Sequence, residues 1–287
     1  ALDPNGQLIW SLPLSRVTDA SVSIARDGTL YVFTRDGRLH AVSPNGNELW
    51  NVAAGVAPNG DSLRPTPAIG ADGTIFVSGG NLKAFLPDGR MRWQTTNGTF
   101  YSTPVIAPDG SVLVSSQEGW IHLVRGGTNV WRYQISAVNR GAAAFSSQNL
   151  IYAPGPTSNL LALTLSGNSA WQAPVGAMWS SSPTIAPDGT IYVSTAEGDI
   201  VSVFGNAPLV DSPWPMFQHD HRHTGRHTSP AIAPSFQTQP VSATVRQGAA
   251  VAFSVEVAGY PWPAFQWYLN DVALAGETTR SLANPGV

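Results

Sequence analysis

The stretch "IARDGTLYVFTRDGRLHAVSPNGNELW", residues 24–50, decides the fold, because the chain repeats it. "IGADGTIFVSGGNLKAFLPDGRMRW" (69–93), "IAPDGSVLVSSQEGWIHLVRGGTNVW" (106–131), "FSSQNLIYAPGPTSNLLALTLSGNSAW" (145–171) and "IAPDGTIYVSTAEGDIVSVFGNAPLVDSPW" (185–214) are the same unit rewritten. The closing tryptophans Trp50, Trp93, Trp131, Trp171 and Trp214 follow Trp10 at intervals of 40, 43, 38, 40 and 43 residues. A period of about 40–45 residues built of short strands points to the blades of a β-propeller.

The chemistry within one unit supports that reading. Asp27-Gly28, Asp72-Gly73, Asp109-Gly110 and Asp188-Gly189 each pair a side-chain acceptor with a glycine free to take positive φ, which a tight hairpin turn demands. The runs that follow, such as Leu30 to Phe33 or Ile191 to Val193, are apolar at nearly every position, as expected of strands covered on both faces. A second turn, Pro44-Asn45-Gly46 or Pro87-Asp88-Gly89, then leads into the strand that ends in Trp. About 41 residues hold four strands of about 5–6 residues with their connections. The expected fold is therefore all-β: five complete four-stranded blades and a partial blade, part of a ring of six to eight. Trp10, Trp50, Trp93, Trp131, Trp171 and Trp214 are assigned to the wedges between blades, where an indole fills the gap and its N–H finds a backbone acceptor. Ala1, Ala41, Ala84 and Ala162 each stand nine residues before a Trp, and His122 takes that place before Trp131.

Composition narrows the function. The 287 residues carry 15 basic and 18 acidic side chains, so no basic face exists to neutralise a run of phosphates, and nucleic acid is excluded as a partner. No apolar run approaches the ~18 residues that span a bilayer. With no cysteine, neither a disulfide nor a thiolate site can form.

"ALDPNGQLIW", "AVSPNGNELW" and "AFLPDGRMRW" resemble the Ala-x-Asp-x-x-Thr-Gly-x-x-x-Trp signature of the pyrroloquinoline-quinone-repeat propellers, with a turn one residue shorter. That superfamily spans quinoprotein dehydrogenases, the outer-membrane assembly lipoprotein and secreted proteins without known reactions. The resemblance implies pyrroloquinoline quinone and calcium for a dehydrogenase. Here the adjacent cysteine pair of those enzymes is missing, and the acids fall mainly in the repeating turns, where local hydrogen bonding accounts for them. No cofactor is expected, and no catalytic residue is assigned. Residues 1–214 are assigned to the propeller and 215–233 to a linker.

Residues 234–287 change rhythm and resemble the first part of an I-set-like immunoglobulin domain of bacterial surface proteins. Gly248 opens strand B, Val255 stands at the usual cysteine position and Trp267 at the core tryptophan of strand C. The segment stops short of strand F, so the domain is expected to be incomplete and the chain to continue into further domains.

Between the two lies "SPWPMFQHDHRHTGRH", residues 212–227, with four of the six histidines. Trp214, Pro215, Met216, Phe217, Asp220, Thr224, Gly225 and Arg226 are similar to a sequence that recurs beside these propellers. His219, His221 and His223 alternate as on one face of a strand and are candidate zinc or copper ligands, against the reading of a plain polar linker. Trp120 and Trp179 fall outside the tryptophan period and are candidate ligand-facing aromatics. The expected function is a non-enzymatic binding scaffold, secreted, periplasmic or at the bacterial surface, with a protein or carbohydrate ligand. The alternatives are a degenerate quinoprotein dehydrogenase or an envelope-assembly scaffold that accepts partner strands along a blade edge.

Overall fold

The computed structural model describes residues 1–14, 20–55, 65–96, 98–135, 140–156, 158–178, 180–205, 207–228, 232–246, 249–260 and 263–284. Its described residues form strands and turns without a helix, in two compact units, Ala1–Ser229 and Pro230–Val287.

The first unit is a set of consecutive antiparallel sheets. Blade one holds β1 (Ser23–Ile24), β2 (Leu30–Phe33), β3 (Arg38–Val42) and β4 (Glu48–Ala53), and blade two holds β5 (Ala68–Ile69), β6 (Ile75–Gly79), β7 (Asn81–Phe85) and β8 (Met91–Gln94). Blade three is β9 (Val105–Ile106), β10 (Val112–Ser116), β11 (Trp120–Arg125) and β12 (Thr128–Gln134). Blade four is β13 (Ala144–Phe145), β14 (Leu150–Pro154), β15 (Asn159–Thr164) and β16 (Ser169–Pro174). A fifth blade has three strands among the described residues, β17 (Thr184–Ile185), β18 (Ile191–Ser194) and β19 (Ile200–Val203), where the repeat predicts four. After β19 the chain passes Gly205, which lies too close to the Gly189 carbonyl for a side chain, and turns inward instead of building an outer strand.

The turns behave as their chemistry dictates. Asp27, Asp72, Asp109 and Asp188 each accept the N–H of the residue two positions on, at 2.9, 3.0, 2.9 and 2.9 Å. Strands β2, β6, β10 and β14 are buried almost throughout, whereas the outermost strands β4, β8, β12 and β16 are largely exposed.

The tryptophans sit on those outermost strands. Ala41 faces Trp50, Ala84 faces Trp93 and Ala162 faces Trp171, and beside each pair the register shifts by one residue. The bulge increases the local twist and re-aims the side chain. In blade three the turn at Gly126-Gly127 is tighter, so Trp131 faces Leu123 and His122 faces Arg132. This corrects the expectation that His122 stands in for the alanine. Trp10, Trp50 and Trp131 donate their indole N–H to the carbonyls of Pro44, Pro87 and Leu165 in the next blade, at 2.9, 2.8 and 2.9 Å. The same indoles lie on the turn glycines Gly46, Gly89 and Gly167 at positive φ, where a Cβ would come within 2.5, 2.9 and 2.6 Å of the ring. Trp93 reaches Gly127 in the same manner, and Trp171 packs on Tyr152 of its own blade.

The second unit contains β20 (Ile232–Thr238) paired with β22 (Glu256–Tyr260), β21 (Val251–Ser254) paired with β25 (Ser281–Asn284), and the hairpin β23 (Tyr268–Leu269) with β24 (Val272–Ala273). Val255 is buried, and the Trp267 indole donates to the Thr279 carbonyl at 2.8 Å. Gly248 lies outside the described residues.

Candidate functional site

Residues 207–228 occupy the place where a propeller's axial site would lie. The two-residue strands β1, β5, β9, β13 and β17 are the innermost of each blade, at the buried end opposite the tryptophan strands. The segment runs along four of them. Ser147 N–H donates to the Pro208 carbonyl and Val210 N–H to the Phe145 carbonyl, at 2.9 and 3.1 Å. Phe145 N–H donates to Pro215 at 2.9 Å, and Ile106 N–H to Trp214 at 2.8 Å. The Ser212 hydroxyl donates to the Ile106 carbonyl at 2.7 Å. Ile24 N–H then donates to Gly225 at 2.7 Å, and His227 N–H returns a bond to Ile24 at 2.9 Å. His223 stands 3.4 Å from the Thr184 hydroxyl of β17.

The expected linker 215–233 is thus corrected for residues 215–228, which belong to the propeller unit. The sixth tryptophan is corrected as well. Trp214 is fully buried at the hub, in the core of blades one to three, with its indole N–H unpaired, so it is not a wedge between blades. Met216 is equally buried in the core of blades four and five, and Phe217 packs on that of blades three and four. Three apolar side chains in four residues thereby tie three clusters together.

The polar residues of the same motif shape the crossing. Asp220 accepts the N–H groups of Arg222 and Thr224 at 2.9 and 3.1 Å and the Thr224 hydroxyl at 2.7 Å. Gly225, at φ +60°, passes so near blade one that a Cβ would come within 2.9 Å of the Val22 carbonyl.

The histidines do not share a strand face. Gln218, His219 and His223 have positive φ, so the segment is a folded turn and the alternation read from sequence does not translate into a common direction. His219 is buried with its ring 5.3 Å from that of Trp214 and 6.4 Å from that of His227. His221 is exposed, and His223 has one ring nitrogen 3.2 Å from the Phe217 carbonyl. Among the described residues no three histidine, aspartate or glutamate side chains converge as a metal site. His227, a residue not singled out from the sequence, is the most perturbed group. Burial, then neighbouring His219 and Arg26, push its pKa down to about 4, with Asp72 acting in the opposite direction. His219 is lowered in the same sense by burial, against the attraction of Asp220 and Asp211.

These residues do not fit pyrroloquinoline quinone with calcium. The hub is filled by Trp214, Met216 and two imidazoles held neutral, and the carboxylates Asp27, Asp72, Asp109 and Asp188 are committed to backbone N–H groups in turns. Of the two candidate aromatics, Trp120 begins β11, half-buried, with the Arg132 guanidinium over its ring at 4.4 Å, and Trp179 lies outside the described residues.

Comparison with known proteins agrees with this architecture. The family model described as outer membrane protein assembly factor BamB matches residues 1–81 and 35–208, and that of the immunoglobulin I-set domain matches residues 234–286. Among solved structures, BamB from Moraxella catarrhalis is similar at 18% identity, over 89% of this chain and 77% of that one, with a TM-score of 0.56. The WD40 propeller domain of Doa1 is similar at 14% identity, over 63% of this chain and 62% of that one, with a TM-score of 0.50. A protein of unknown function from Bacteroides caccae aligns at 16% identity over 72% and 85% of the two chains, with a TM-score of 0.49. No protein of curated function matches by sequence.

Proposed function

Because the chain belongs to the BamB family of repeat propellers over residues 1–208, with an I-set immunoglobulin domain after it, we propose that it is a non-catalytic binding scaffold of the bacterial periplasm or cell surface. The observation that carries this reading is the filled hub. A catalytic propeller needs its axial funnel for cofactor and substrate, whereas here the chain's own Trp214, Met216 and Phe217 take that space. Recognition is left to rims and blade edges, and the immunoglobulin-like unit adds a second surface of a type used for adhesion.

The narrower version, a scaffold that accepts partner strands, is favoured by blade five. Strand β19 pairs on one side only among the described residues, and Ile200 and Phe204 beside that edge are 79% and 94% exposed. An apolar strand with an open hydrogen-bonding edge is a template for an added strand.

Two measurements test the proposal together. Pyrroloquinoline quinone with calcium is expected to leave the Tm of the purified chain unchanged, since a ligand at 100 times its Kd that binds only the folded state would add about 2.7 kcal/mol. A pull-down from bacterial envelope extract is expected to recover a protein partner that is lost with Ile200→Lys. A Tm rise with the quinone would contradict the non-catalytic reading, and capture of carbohydrate alone would contradict the version that accepts partner strands.

A further inference from the structure

Besides its tighter turn, blade three departs from its siblings in one residue of its outermost strand. The residue after the interblade tryptophan is Asn51, Gln94 and Gln172 in three blades and Arg132 in the third. Asn51 accepts from Arg38 Nε at 2.7 Å, and Gln172 accepts from Asn159 at 3.2 Å, so two of those blades satisfy the position from within. Arg132 has no such partner. It joins none of the ion pairs among the described residues, while Arg90, Arg92 and Arg125 each hold an aspartate of a turn. Its guanidinium carbon instead lies over the Trp120 ring, 4.4 Å from the centroid.

The cross-strand neighbour of Arg132 is His122, in the register that His40 has in blade one. His40 is bonded at both nitrogens, to Glu48 at 2.6 Å and to Thr34 at 3.1 Å. His122 meets Asn129 Oδ1 with Nδ1 at 3.3 Å, and its buried Nε2 has no partner, because Ser116, the counterpart of Thr34, makes no bond to it. Burial lowers the His122 pKa, so the ring is neutral near pH 7. An amide oxygen can only accept, which puts the proton on Nδ1.

Arg132, His122 and Asn129 line a cavity of about 300 Å³ at the junction of blades two and three. Thr96 and Thr128 add hydroxyls, and the buried side chains of Phe100 and Val124 close the floor. The set offers a single formal cation, positioned over the Trp120 ring, and several neutral hydrogen-bonding groups. A guanidinium of this kind is matched by a carboxylate, which it grips through two parallel N–H bonds. The neutral groups match hydroxyls, and the volume admits one sugar-sized ring.

We propose that this cleft binds a small hydroxylated monocarboxylate of uronic-acid size, its carboxylate on Arg132 and its hydroxyls on Thr96, Thr128 and Asn129. With one cation and a neutral imidazole, the cleft favours a carboxylate over a phosphate dianion. This site is independent of the filled hub and of the β19 edge.

Calorimetric titration of the whole chain with sodium glucuronate, glucose and inorganic phosphate tests the assignment. Glucuronate is expected to bind with a Kd on the order of 1 mM, and glucose and phosphate at least tenfold more weakly. Arg132→Gln, which installs the residue type of Gln94 and Gln172, is expected to weaken glucuronate at least tenfold while leaving the ligand-free Tm unchanged. Arg132→Lys is expected to fall between the two. The proposal is overturned if glucose or phosphate binds as well as glucuronate, if Arg132→Gln binds as the parent does, or if the parent binds none of the three.

Discussion

Trp214→Ala is expected to lower the stability of the propeller unit by about 3–5 kcal/mol, the cost of removing a fully buried large aromatic and leaving a cavity. For a unit of this size that is a Tm fall on the order of 10 °C. Trp214 touches the core of blades one to three, and its backbone carbonyl holds the Ile106 amide, so the void would open where several blades meet. Trp214→Phe separates packing from polarity. The indole N–H is buried without a partner, so phenylalanine keeps most of the contact area and removes an unsatisfied donor, and its expected cost is about 1 kcal/mol or less. Urea unfolding of the two variants against the parent checks both values. A linker tryptophan would give losses near zero for both.

The second large effect is acid sensitivity at the hub. His227 is buried with a folded-state pKa of about 4, below the ordinary histidine value of 6.5. Between those values the unfolded chain takes up a proton that the folded chain refuses. Stability is therefore whole above pH 6.5, falls as pH drops toward 4, and loses no more to this group below that. The full loss is about 3 kcal/mol, at 1.36 kcal/mol for each pH unit of separation. His219, lowered in the same direction, adds to the fall within the same window. The carboxylates Glu48, Asp72, Asp109 and Asp220 act lower down. Their folded-state pKa values lie below 4.5 for Glu48 and below 3.8 for the aspartates, so their stabilisation is lost only as pH falls beneath those values. Urea midpoints at pH 7, 5.5 and 4.5 are expected to decline for the parent and to decline much less for His227→Gln. Parallel curves for the two proteins would remove His227 from the account.

Much of the fold was legible because it is local and repeated. The Asp-Gly turns, the apolar runs and the tryptophan period each recur at fixed spacing, and each corresponds to a structural element a few residues long. The hub was not legible for the opposite reason. Residues 208–227 contact the innermost strands through single bridges, Ser146 with Leu209, Ile106 with Trp214 and Ile24 with Arg226, so no strand-length periodicity marks them. Trp214 even falls on the period by spacing while serving a different place. The histidine alternation misled because positive φ at Gln218, His219 and His223 breaks the extended geometry that alternation assumes. The cleft of blade three did leave a signal. Aligning the units on their tryptophans places Arg132 against Asn51, Gln94 and Gln172, and that single charged substitution marks the cleft.

Amide hydrogen exchange tests the filled hub most directly. The amides of Ile24, Ile106, Phe145, Val210 and His227, which donate to or from the axial segment, are expected to be protected to the same degree as those of the blade strands β2, β6 and β10. If 208–227 instead exchanges as fast as the exposed residues 241–246, and Ile24, Ile106 and Phe145 lose protection with it, the segment is a linker and the axis is open.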